Sequence, residues 1–90
     1  MMWDIKQTKR FARLYKKLHD NMVVDVDDAI EKIQQNPEIG DRKVGDLAAL
    51  RVFKFRSNGQ LYLLGYTLDE RFCIAKFRRI WKCLTQNVCL

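Results

Sequence analysis

Three cations, Arg51, Lys54 and Arg56, stand among apolar residues along "RVFKFR", residues 51–56, and "SNG" follows at once. In an extended chain Val52, Lys54 and Arg56 share one face, while Arg51, Phe53 and Phe55 share the other. The phenylalanine face belongs in a core, which leaves Lys54 and Arg56 projecting to the opposite side. Few other groups in the chain offer chemistry. His19 is the lone histidine, and no glycine-rich phosphate loop, GxSxG or HExxH pattern is present. Catalysis would therefore fall to cations and tyrosines. That combination suits the cleavage of RNA by its own ribose 2′-hydroxyl, where Lys and Arg stabilise the phosphorane charge and a perturbed Lys or Tyr moves protons.

The elements that must position these residues follow from periodicity. "MMWDIKQT" places Trp3 and Ile5 on one side of a first strand. Phe11, Leu14, Tyr15 and Leu18 recur at helical spacing, which predicts a helix over residues 9–18 with Thr8 as N-cap. Its other face carries Lys9, Arg10, Arg13, Lys16 and Lys17, a run that ordinarily marks a solvated helix face. Met22, Val26, Ala29, Ile30 and Ile33 predict a second helix over residues 23–35, ended at Pro37. Asp25, Asp27, Asp28 and Glu31 then fall in its first turns, where the helix dipole accounts for them more cheaply than a metal does. "PEIGDRKVGDL" reads as a loop.

From residue 50 the period becomes two. Asn58-Gly59 can form a tight hairpin turn, and "QLYLLGYTL" is apolar on both sides, as a central strand covered on both faces would be. "RFCIAKF" is a third strand candidate. The order β-α-α-β-β-β predicts an α+β fold in which two N-terminal helices pack on one face of a small antiparallel sheet. Ninety residues make one domain, 1–90, with an apolar fraction of 48% that fits a globular chain. A net charge of +6 favours a polyanionic or acidic partner. No apolar run reaches the roughly 20 residues of a membrane span, and Cys73, Cys83 and Cys89 show no zinc spacing. The expectation is a cytoplasmic protein without membrane, metal or cofactor.

Two short helices, then "NPEIGDRKVGDL", then "LRVFKFRSNGQLYLLGY", resemble the RelE/ParE superfamily of bacterial toxin-antitoxin toxins. The likeness covers roughly the first 71 residues, about four-fifths of the chain. It implies a toxin bound by a cognate antitoxin. RelE-like members cleave mRNA on the ribosome, and ParE-like members poison DNA gyrase. On the first of these readings the chain is a metal-independent endoribonuclease, an mRNA interferase. Lys54 occupies the position of a basic strand residue that RelE-like nucleases use at the scissile phosphate, with Arg51 and Arg56 flanking it as further catalytic candidates. Lys43, Arg78 and Arg79 are the candidate RNA-binding cations.

The chain also departs from that pattern. Val52 stands where a second cation is frequent, and Leu61 and Leu63 stand where the next strand usually bears an arginine. The tail, residues 72–90, diverges: related toxins end on a helix supplying His, Tyr and basic groups, but here no His or Tyr follows Tyr66. Three readings remain open: a ribonuclease weakened by its tail, a gyrase inhibitor that needs no catalytic residue of its own, and an inactive homologue that only binds antitoxin.

Overall fold

The computed structural model describes residues 3–42 and 50–82. Strand β1 (Asp4–Gln7) leads into helices α1 (Lys9–Lys16) and α2 (Asp20–Gln35), then a 3-10 turn (Pro37–Ile39). Strands β2 (Asp41–Arg42), β3 (Leu50–Ser57), β4 (Gln60–Asp69) and β5 (Ile74–Lys82) follow. The five strands form one sheet in the order β1-β5-β4-β3-β2. The predicted α+β layout of two helices on one sheet face is the one observed. Two details of the sheet differ from expectation. β1 pairs in parallel with β5, so the first strand lies beside the last described one. Asp41 and Arg42, within the segment read as loop, add a short edge strand opposite Val52 and Arg51.

Local chemistry explains the boundaries. The Thr8 hydroxyl accepts a hydrogen bond from the Phe11 amide at 3.1 Å, the capping bond expected of it. It also donates to the Arg78 carbonyl at 3.1 Å, so the start of α1 is fixed to β5. α2 begins earlier than the periodicity implied, at Asp20 with His19 as N-cap. Of its acids only Asp20 lies in the first turn, so the dipole reading of Asp25, Asp27 and Asp28 gives way to individual contacts. Asp25 accepts from the Ser57 hydroxyl at 2.6 Å, Asp27 from the Tyr15 hydroxyl at 2.6 Å, and Asp28 pairs with Lys32 at 3.1 Å. Asn58 and Gly59 both take positive φ (54° and 77°), the pattern of a type I′ hairpin turn between Ser57 and Gln60.

The core lies between the helices and the sheet. Phe11, Val26, Ala29 and Ile33 meet Leu64, Tyr66, Ala75 and Phe77, all at most 1% exposed. Leu18, Ile30, Phe53 and Phe55 pack against them, and Leu14 is half-buried. β4 is the middle strand and is buried on both faces from Leu63 to Tyr66. Away from the helices, Leu63 and Val52 form a second small cluster with Leu61 and Trp81.

Candidate nucleic-acid interface

β3 and its hairpin carry the cations, and α2 holds them in place. The buried Ser57 reaches Asp25, and Asn21 donates to Asn58 at 3.1 Å, so the tip of the hairpin is tied to the second helix. Alternation then sends Phe53 and Phe55 toward the helices, and Lys54 and Arg56 to the far face of the sheet, where both are exposed. The register builds that face row by row. Lys54 stands opposite Leu63, which stands opposite Trp81; Val52, Gly65 and Arg79 form the next row. Lys76 opposes Thr67 one row further on, exposed between the buried Ala75 and Phe77. The acids of this face lie at its margins, Asp41 on the edge strand and Asp4 and Asp69 at one end.

The structure therefore groups Lys54, Arg56 and Arg79 on one surface. Arg78 is set apart by a bulge: Gly65 pairs with Arg79 and Tyr66 with Phe77, leaving Arg78 as the extra residue. Its side chain is exposed and its carbonyl serves the α1 cap. Arg51 does not join them. It points to the helix side, where Nη1 donates to the carbonyls of Gly40 at 3.0 Å and Glu38 at 3.4 Å. Lys43 lies outside the described residues. Of the group on this face, the sequence pointed to Arg79 but not to Trp81, whose indole centroid sits 4.9 Å from the Arg79 guanidinium carbon. The signal was present in the alternation of "RRIWK", but the strand was expected to stop at Phe77.

Neither tyrosine of β4 reaches this surface. Tyr62 stacks on Phe55 on the helix side at 5.8 Å. Tyr66 is fully buried; its hydroxyl donates to the Pro37 carbonyl at 2.7 Å and accepts from the Gly40 amide at 2.9 Å. A Cβ added to Gly40 would lie 2.5 Å from that oxygen, so only glycine admits the contact. Tyr66 thus clamps the 3-10 turn that Arg51 also holds. Burial raises the Tyr66 pKa above the ordinary 10.0 and Asp41 adds to the rise, while the Gly40 amide and Arg51 pull the other way.

Tyr66→Phe is expected to lose about 1–3 kcal/mol, because it strands a buried amide and a buried carbonyl. Denaturant unfolding of both proteins measures the difference. Because the folded-state pKa is raised, the contribution of Tyr66 is intact below about pH 10 and is lost as pH climbs through the folded value. Tyr15 shifts in the same direction, chiefly through its bond to Asp27. Stability should fall in strong alkali, less steeply in Tyr66→Phe. A variant as stable as wild type would show that the clamp contributes nothing.

Among the described residues no group of acids, cysteines and histidines could hold a metal ion, and no helix is long and apolar enough to cross a membrane. The fold is that of RelE toxins. The chain superposes on the E. coli RelBE toxin-antitoxin complex with a TM-score of 0.75 at 17% identity, covering 92% of this chain and 99% of that one. The RelBE2 complex from Mycobacterium tuberculosis gives 0.72 at 21%, covering 92% and 100%. The archaeal RelE-RelB complex from Pyrococcus horikoshii gives 0.64 at 14%, covering 91% and 96%. No curated protein matches the chain in sequence. The sequence model for the ParE-like toxin of type II bacterial toxin-antitoxin system matches residues 5–87, including most of the tail. This match over most of the chain makes it a member of the RelE/ParE superfamily, in the family of ParE-like toxins of type II bacterial toxin-antitoxin systems.

Proposed function

We propose that this toxin cleaves mRNA on the ribosome in the manner attributed to RelE, with the far face of the sheet as the RNA surface. The observation that supports this reading is the grouping of exposed Lys54, Arg56, Lys76 and Arg79 with a partly exposed Trp81. Cations that track phosphates beside an aromatic ring are what a single strand needs from a protein. In the reaction the 2′-oxygen attacks the adjacent phosphorus and the bond to the 5′-oxygen breaks. The products are a 2′,3′-cyclic phosphate and a 5′-hydroxyl, and the proton given up by the 2′-hydroxyl is balanced by one taken up at the leaving oxygen. On this reading Lys54 neutralises the non-bridging oxygens, and Arg56 and Arg79 hold the flanking phosphates. An antitoxin is the second expected partner, as in the complexes that this fold resembles. An acidic segment with apolar anchors, covering α1 or the far face, complements the charge of +6.

A specific observation favours a second reading. Among the described residues no His or Tyr side chain faces Lys54: the tyrosines of β4 lie on the helix side and His19 stands at the start of α2. A gyrase inhibitor needs no proton-moving group. Incubation of purified toxin with programmed ribosomes, and separately with gyrase and relaxed plasmid, separates the two. The expected result is mRNA cut at discrete positions with supercoiling unaffected. Blocked supercoiling with intact mRNA would replace the nuclease reading, and silence in both assays would leave antitoxin binding as the function.

A further inference from the structure

Trp81 is the one large aromatic side chain that the described far face carries, and the sheet is shaped to receive it. Its ring leans over Gly65: a Cβ built on that glycine would lie 3.0 Å from one carbon of the indole and 3.3 Å from the next. A ring seated on bare backbone has little freedom to rotate. Arg79, two residues earlier on the same strand, lays its guanidinium over the indole at 4.9 Å. Arg79 is exposed. Among the described residues no carboxylate lies within ion-pair distance of it; the salt bridges there join Lys32 to Asp28 and Arg71 to Asp69. A guanidinium at cation–π distance over an indole, on an exposed residue, offers a planar group beside the ring to a ligand from solvent. Lys54 stands two strands away, about 10 Å across the sheet at the usual strand spacing.

We propose that Arg79 and Trp81 form a nucleobase platform, on which a base next to the phosphate held by Lys54 stacks. The inference rests on the reading of the far face as an RNA surface and adds to it a site for the base. Phosphate contacts alone position a strand, whereas a stacked base fixes which nucleotide is presented to Lys54. Stacking of this kind is sequence-tolerant, because every base has a π-face. Lysine at position 79 would keep the charge and lose the plane. Alanine at position 65 would press on the ring and displace it without altering any charge.

The test is a fluorescence titration at low salt with a six-nucleotide RNA and with an abasic strand of equal length. Trp3→Phe serves as the background, so that emission reports Trp81 alone. The expected result is quenching of Trp81 by RNA, little by the abasic strand, and tighter binding of RNA. Arg79→Lys should weaken RNA binding by roughly 5- to 100-fold, the range of one base stack, with the salt dependence unchanged. Gly65→Ala should reduce the quenching while abasic binding stays as it was. Equal affinity for RNA and abasic strand in wild type, or an Arg79→Lys variant that binds RNA like wild type, overturns the platform and leaves the phosphate surface standing. Binding of neither strand overturns both.

Discussion

Lys54→Ala is expected to reduce ribosome-dependent mRNA cleavage by about 10²–10³-fold while leaving the fold intact. The reasoning is local. Lys54 is exposed on β3 and, among the described residues, its side chain makes no ion pair or hydrogen bond, so its removal costs the folded state little, within about 0.5 kcal/mol. On the proposed nuclease reading its value lies in the transition state, where charge builds on the phosphorane oxygens; removing one such contact raises the barrier by about 2.7–4 kcal/mol. Arg56→Ala should mainly weaken binding, because Arg56 lies one row nearer the hairpin tip. Cleavage rates measured beside thermal melts separate the effects. A Lys54→Ala variant that cleaves like wild type would sink the assignment, and one that melts early would mean that the residue supports the strand instead. Arg51→Ala should behave differently from both, losing stability through the carbonyls of Glu38 and Gly40.

Phe11→Ala should destabilise the protein by about 3–5 kcal/mol, the usual cost of deleting a buried aromatic ring. Phe11 is 1% exposed, with ring centroids 5.6 Å from Phe77 on β5 and 6.2 Å from Tyr15 on its own helix. It is the one fully buried side chain of the eight-residue helix α1. A helix of two turns has little stability of its own, so this contact decides whether it docks. A chain of this size has roughly 5–13 kcal/mol of stability in all, and the loss should lower the melting temperature by more than about 10 °C. Circular dichroism melts measure it. A fall of only a few degrees would mean that α1 is not anchored where the structure puts it.

Both variants act on residues whose placement the sequence already made plain. Phe11, Leu14 and Leu18 repeat at the spacing of one helix face, Val26, Ile30 and Ile33 at that of a second, and Phe53 and Phe55 at that of one strand face, so burial of these sides followed from water alone. The same alternation put Lys54 and Arg56 outward, and Asn58-Gly59 demanded the hairpin that follows them. These are short-range rules, satisfied within a few residues of chain. Other features depended on partners far away in sequence. β1 needed β5, some seventy residues distant, before its parallel pairing had meaning. Arg51 reads as a member of the cationic strand until the carbonyls of Glu38 and Gly40 are brought beside it. Tyr66 reads as either a catalytic or a packing residue until Pro37 and Gly40 close over its hydroxyl. Trp81 and Arg79 became a pair only because β5 continues beyond its bulge to Lys82, held by hydrogen bonds to β4. The sequence by itself determined which sides of the helices and strands face the core. Tertiary structure alone decided which polar groups remain for a ligand, because hydrogen-bond partners are assigned by proximity in space and not by periodicity along the chain.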